Sequence, residues 1–237
     1  IVQRIFTWFI IIILFLLGSI NRICMLMLFG LISILSFKEF LQFAYIKYDN
    51  ELKIYNLTVN LIFYIGIYFK NIYILLILFV LVCLRFYKRE FIIFAFFITS
   101  YLIGSISYID NLDFIINYLI LTELNDVYQY ISGNILGKRK ITPNISPNKT
   151  VEGLIGGIIL TTLTAILLKY LVKINYQILF IPFISLIGFI GDIFISYLKR
   201  RVNLKDSGTL LLGHGGILDR VDSLIFTAPI ILLIFKL

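Results

Sequence analysis

Apolar stretches of 13 to 21 residues recur along the whole of this chain, separated by short polar gaps and by two longer polar segments. A helix needs about 20 apolar residues to cross a bilayer core. Only helices and closed barrels satisfy their backbone polar groups in that medium. A barrel's strands would alternate polar with apolar residues, and these runs do not alternate. The chain is 60% hydrophobic and 14% charged, against roughly 25% charged for soluble domains, and disordered chains are poorer still in apolar residues. The expected fold is therefore all-α: a polytopic integral membrane protein, with residues 1–237 forming a single transmembrane domain.

Nine runs are expected to span: 5–20, 23–43, 54–69, 71–84, 91–109, 112–124, 153–172, 178–196 and 217–235. The second contains Lys38 and Glu39, and the sixth opens on Asp113, so the count ranges from eight to ten. The run at 5–20 resembles a secretory signal, but it lacks a small-residue cleavage site and more spans follow, so it reads as a membrane helix. The chain opens on Ile1 rather than Met and is apolar from the start, so a preceding segment is expected. Cys24 and Cys83 lie in apolar stretches, which argues against a disulfide or a cysteine zinc site. The single histidine, His214, excludes a multi-histidine metal site.

The basic residues set the topology. With loops numbered alternately from the inside, 16 of the 21 Lys and Arg residues fall on one side and 5 on the other, as the positive-inside rule requires. The net charge of +8 is thus mainly a topology signal, and no nucleic-acid-binding module accompanies it.

Two inner segments, 123–152 and 199–222, are rich in Gly, Asn, Ser, Lys and Asp. They divide the chain into N-terminal membrane spans over 1–120 and a C-terminal catalytic membrane region over 121–237. Asp192 sits in the apolar run 181–196, where a carboxylate costs about 2.5–3.5 kcal/mol at a helix centre and usually faces an interior cavity with a partner. Asp192, Ser196 and Lys199 share one face at helical spacing. The basic run Lys199-Arg200-Arg201 alone is an ordinary cytoplasmic flank. It gains weight from Lys205-Asp206 and from Gly213-His214-Gly215-Gly216-Ile217-Leu218-Asp219-Arg220-Val221-Asp222, where glycines let backbone approach a ligand. Asp219 and Asp222, three apart, are expected on one helical face at the start of a span, where a helix N-terminus favours carboxylates.

Hard carboxylate oxygens without a cysteine or histidine cluster suit Mg²⁺, which takes one or two carboxylates and completes its shell with water and phosphate oxygens. Lys and Arg hold the remaining phosphate oxygens. In the earlier segment, Ser146, Lys149 and Thr150 are donors near an expected helix start, where anions bind. The Lys149-Thr150 pair lacks the upstream glycines of a phosphate-binding P-loop. Gly156-Gly157 reads as a close helix contact. These residue types point to phosphate transfer at the inner face of a membrane.

The stretch Ser196-Tyr-Leu-Lys-Arg-x4-Lys205-Asp206-x-Gly208-x4-Gly213-His214-Gly-Gly-Ile-Leu-Asp219-Arg220-Val-Asp222 closely resembles the signature of the phosphatidate cytidylyltransferases, the CDP-diacylglycerol synthases. Asn125-Asp126 and Ser146-Pro147-Asn148-Lys149-Thr150 with Glu152-Gly153 are similar to that family too, in its bacterial form. Motif resemblance covers about 122–225; the first 120 residues match only as membrane spans. Leu212, where a turn residue is usual, and Val151, where Trp is common, depart from the pattern without removing a polar group.

The resemblance implies that CTP and phosphatidate give CDP-diacylglycerol and pyrophosphate with Mg²⁺, and that a monovalent cation such as K⁺ shares the site. It implies a homodimer in a bacterial inner membrane, with a polar cavity open to the cytoplasm. Asp192 and Asp219 are then metal ligands, with Asp222 a weaker third. Lys199, Arg200, Lys205 and Arg220 are expected at phosphate oxygens, with Asp206 and Ser196 in the same constellation. Asn125, Asp126, Ser146, Lys149 and Thr150 are expected at CTP, and His214 as a proton donor, a phosphate partner or a loop-structuring residue. The rivals are a CTP-dependent polyprenol-type lipid kinase, a cytidylyltransferase for another lipid phosphate, an inactive paralogue, and an ion-coupled transporter built on Asp192. The transporter leaves both polar segments unexplained.

Overall fold

A computed structural model describes residue 13 and residues 15–172, 177–211 and 215–236. The expected span at 5–20 falls largely outside these residues, and so does His214.

The described chain is nearly all helical, and its helix starts follow local chemistry. Helix α1 (Arg22–Leu41) is capped by the Asn21 side chain, which accepts the Cys24 N–H. Helix α2 (Asn50–Tyr68) is capped in the same way by Asp49, and α3 (Ile72–Arg85) by Asn71; each cap satisfies an N–H that the helix leaves open. Helix α4 (Glu90–Phe96) runs on into a π-helical turn, Phe97–Leu102, and a 3-10 turn follows at Ser105–Tyr108. Next come α5 (Leu112–Leu136), a hairpin of β1 (Lys140–Thr142) and β2 (Ser146–Thr150), and α6 (Val151–Val172). A 3-10 turn at Ile178–Phe180 leads into α7 (Ile181–Arg201), another occupies Leu218–Arg220, and α8 (Asp222–Lys236) closes the chain.

Among the described residues, three segments are long and apolar enough to cross a membrane: Arg22–Ala44, Val151–Leu171 and Ile178–Arg201. Ile72–Arg85, Glu90–Leu102 and Asp222–Phe235 are apolar but shorter.

Several expectations change. Helix α5 continues to Leu136 instead of ending at 124. Its buried residues Leu121, Thr122, Asn125, Gln129 and Ser132 recur at three- and four-residue steps, so a polar stripe, not a loop, faces inward. The antiparallel hairpin, pairing Lys140 with Thr150 and Thr142 with Ser146, departs from a purely helical fold. Helix α7 extends to Arg201, past the expected end at 196, and carries Lys199 and Arg200. Helix α8 begins at Asp222, whereas Asp219 lies in the preceding 3-10 turn, so the two do not share a helix face.

The chain forms two compact units, Ile1–Leu112 with Arg201–Val221, and Asp113–Arg200 with Asp222–Leu237. The first unit packs α1 to α4 through aromatic rings, with Phe37 and Phe96 stacked at 4.1 Å between centroids. Buried polar side chains link its helices. Asn56 Nδ2 donates to the Ile34 carbonyl at 3.1 Å, Ser100 Oγ donates to Asn60 Oδ1 at 3.0 Å, and the Ser33 and Tyr64 hydroxyls pair at 2.7 Å. Such interhelical hydrogen bonds substitute for the hydrophobic drive that lipid removes.

The second unit packs on glycine. A Cβ at Gly156 would overlap Ser132, and one at Gly157 would overlap the Gln129 stem, so the glycine pair brings α6 against α5. A Cβ at Gly191 would lie 2.6 Å from the Asp222 carbonyl oxygen, and one at Gly188 3.3 Å from the Thr227 methyl. Small residues thus set the approach of α7 to α8 as well.

Candidate active site

In the second unit a cavity of about 180 Å³ is lined by Asp126 and Gln129 of α5, Ser146 and Lys149 of β2, and Phe189 and Asp192 of α7, among others. The hairpin delivers Lys149. Its ammonium pairs with Asp192 Oδ2 at 2.5 Å and lies 4.4 Å from the centre of the Phe189 ring. Both ends of the ion pair are largely covered, with side-chain exposures of 15% and 24%. The carboxylate in the apolar run therefore has the interior partner that its cost demands.

The stripe expected on α7 forms. Ser196 Oγ donates to Asp192 Oδ1 at 3.2 Å. One turn on, buried Lys199 acts electrostatically on Asp222. Asp126, Asp192 and Asp222 are close enough for each carboxylate to act on the other two. Asp126 Oδ2 accepts the Ser223 hydroxyl at 3.0 Å, whereas its Oδ1 is buried without a hydrogen-bond partner.

This donor set suits Mg²⁺. Among the described residues no three acidic, histidine or cysteine side chains converge closely enough to hold a metal by themselves. A cation here would rest on one or two carboxylates, with water and phosphate oxygens completing its shell, which is the Mg²⁺ habit. Asp192 and Asp222 are the residues of this unit that would hold it.

The other expected residues divide. Thr150 caps α6, its Oγ1 accepting the Gly153 N–H at 3.0 Å, and it also lines the cavity. Arg200 Nε donates to the Ile145 carbonyl at 3.1 Å and ties α7 to the hairpin. Asn125, 1% exposed, spends its amide on packing: Nδ2 donates to the Ser185 carbonyl at 3.3 Å, and Oδ1 accepts the Thr161 hydroxyl at 3.4 Å. It is not among the residues that line the cavity. Glu152, in the first turn of α6, accepts the backbone N–H groups of Lys138 and Arg139 at 2.9 and 3.1 Å, which anchors the chain entering the hairpin.

The signature from Arg201 to Val221 belongs to the first unit, and its two ends, Ser196–Arg200 and Asp222, to the second. In the first unit Asp219 Oδ2 accepts the N–H groups of Ser207 and Gly216 at 2.8 and 2.9 Å, closing the loop on itself. Gly215 is at φ +82°, a conformation that disfavours a side chain. Lys205, Asp206 and Arg220 are exposed. The residue that sequence reasoning missed is Glu39. At 2% exposed, it accepts the Ser207 hydroxyl at 2.9 Å and the N–H groups of Ile217 and Leu218 at 3.0 and 2.8 Å. Its sequence signal was a carboxylate, next to Lys38, inside a long apolar run.

The cytidylyltransferase family model matches residues 2–237. The chain belongs to the cytidylyltransferase family. Among curated relatives of this family member, a phosphatidate cytidylyltransferase of Staphylococcus haemolyticus (strain JCSC1435) is 41% identical over 126 residues, 52% of this chain and 48% of that protein. The phosphatidate cytidylyltransferase of Bacillus subtilis (strain 168) is 45% identical over 112 residues, 46% of this chain and 42% of that protein. A protein of Escherichia coli (strain K12) named uncharacterized protein YnbB is 48% identical over 115 residues, 47% of this chain and 39% of that protein. The matched region thus spans less than half the length of these relatives.

Proposed function

We propose that this family member transfers CMP from CTP to phosphatidate, yielding CDP-diacylglycerol and pyrophosphate, at a membrane site facing the cytoplasm. The observation that carries the reading is the cavity in which Lys149 pairs with Asp192 beside Asp126 and Ser146. It combines a cation, hard oxygens and hydroxyl donors in a chain whose relatives include proteins named phosphatidate cytidylyltransferase. The excess of Lys and Arg on one side supports the cytoplasmic orientation.

A phosphate monoester has a second pKa near ~6, so the attacking oxygen of phosphatidate is already largely ionised and needs no strong base. It attacks the α-phosphorus of CTP, a new P–O bond forms, and the bond to the bridging oxygen breaks, releasing pyrophosphate. Catalysis is then positioning and charge neutralisation. Lys149 and Lys199 supply positive charge to the phosphates, and Ser146 donates a hydrogen bond. Asp192 sets the position of Lys149, and Ser196 orients Asp192. Mg²⁺ bound at Asp192 and Asp222 would neutralise charge on the triphosphate. The test is lipid labelling: membranes carrying this chain, given phosphatidate, Mg²⁺ and CTP labelled at the α-phosphate, form a labelled chloroform-soluble product.

A further inference from the structure

Two residues that line the cavity each carry a buried polar atom without a hydrogen-bond partner. Asp126 Oδ1 is an acceptor without a donor, and Gln129 Nε2 is a donor without an acceptor. The two residues stand three apart on α5, so they are neighbours on one face. Gln129 is only 9% exposed, and leaving an amide donor buried and unpaired is costly. The glutamine is also held in place, because a Cβ on Gly157 would overlap its Cγ.

This pair is complementary to one base. The pairing edge of cytosine presents a donor, the N4 amino group, beside two acceptors, N3 and O2. A carboxylate accepting from cytosine N4 is an established pairing in base recognition. Uracil reverses the first two positions: O4 would face the Asp126 carboxylate and N3–H would face the Gln129 amide. The cavity, at about 180 Å³, is smaller than the roughly 300–1,000 Å³ of drug-sized sites and on the scale of a single-ring base. Tyr130 lines it as well, offering an aromatic face on which a base can stack.

We infer that Gln129, with Asp126, reads the pairing edge of the cytosine base, so that the α5 stripe sets nucleotide choice. The inference rests on the reading of CTP as substrate. A site built around hydrogen bonds rejects an analogue that leaves its buried groups unpaired far better than an apolar pocket does.

The test measures equilibrium binding and kcat/KM for CTP and UTP with the full chain in detergent. Three proteins are compared: wild type, Gln129→Leu, which keeps volume but removes the donor, and Asp126→Asn, which offers an N–H to uracil O4. The wild type should favour CTP. Gln129→Leu should lower CTP binding by at least about tenfold and shrink the CTP-to-UTP ratio by a similar factor. Asp126→Asn should shift the ratio towards UTP, whatever its absolute rate. An unchanged ratio in both variants would overturn the inference while leaving CMP transfer intact. CTP binding with the predicted variant ratios, but no lipid product, would support base reading and sink the proposed reaction. A wild type that binds CTP and UTP equally would overturn base reading outright.

Discussion

Glu39 Oε2 accepts the backbone N–H of Leu218 at 2.8 Å, although 179 residues separate the pair. With Ile217 N–H on its other oxygen and the Ser207 hydroxyl beside it, this buried carboxylate gathers the signature loop onto α1. Asp219 secures the same loop from within, through the N–H groups of Ser207 and Gly216. The glycines of the signature then have a physical reason. A Cβ on Gly208 would stand 2.6 Å from Glu39 Oε1, and one on Gly216 would overlap Glu39 Oε2.

The brace predicts a stability cost. Glu39→Gln replaces one acceptor oxygen with an amide that opposes a backbone N–H, and Glu39→Ala leaves those N–H groups unpaired. Each unsatisfied buried group costs about 1–3 kcal/mol, so both variants should melt earlier, Ala more than Gln, when thermal unfolding is followed in detergent. Wild-type melting in Glu39→Ala would remove Glu39 from the brace.

Gly216→Ala should be destabilising for the same reason, and the two effects should not add. An added methyl at position 216 would meet both Glu39 Oε2 and Ser207 Oγ; truncating Glu39 removes the first and releases the Ser207 hydroxyl that it holds, so the second can turn away. Glu39→Ala combined with Gly216→Ala should therefore lose less stability than the two single losses together, by about 0.5–3 kcal/mol, as for residues in contact. Strict additivity in the thermal denaturation cycle would refute the contact.

At Asp219 the two candidate roles separate by substitution. Asn keeps one carbonyl oxygen for the Ser207 and Gly216 N–H groups, whereas Ala keeps none. Asp219→Asn should therefore melt near the wild type yet lose turnover if the carboxylate binds metal, and Asp219→Ala should lose both. Normal turnover in Asp219→Asn contradicts the metal role.

The Lys149–Asp192 pair should be intolerant of single changes. Removing one partner of a largely covered pair strands the other charge; a fully buried pair would lose about 3–5 kcal/mol, and the partial exposure of this one lowers that cost. Lys149→Met and Asp192→Asn should each lower stability, and each should reduce lipid labelling by at least about a hundredfold. Lys149→Arg should not restore full rate, because a planar guanidinium does not replace a compact ammonium. Full labelling by Lys149→Met would exclude Lys149 from the chemistry.

The apolar helices were legible because burial in lipid demands apolar runs, although of the nine expected spans three described segments are long and apolar enough to cross; the Asp192–Ser196–Lys199 stripe was legible because helical spacing is local. The extension of α5 was not. Asn125, Asp126 and Gln129 read as loop residues until Gly156 and Gly157 of α6 supply the surface they pack against. The hairpin was hidden by its brevity and by Pro143 and Pro147 within it. Glu39 was the deepest omission. Its partners lie about 170–180 positions away, and no local pattern reports a pairing of that range.

The most direct test of CMP transfer follows the fate of two labels. Membranes carrying this chain receive phosphatidate, Mg²⁺ and CTP labelled at either the α- or the γ-phosphate, with Asp192→Asn as the control. The account predicts α-label in a CDP-lipid, γ-label in released pyrophosphate, and neither product from the variant. Gamma-label in the lipid would show a kinase, and no lipid label from a folded, membrane-inserted chain would contradict the reaction itself.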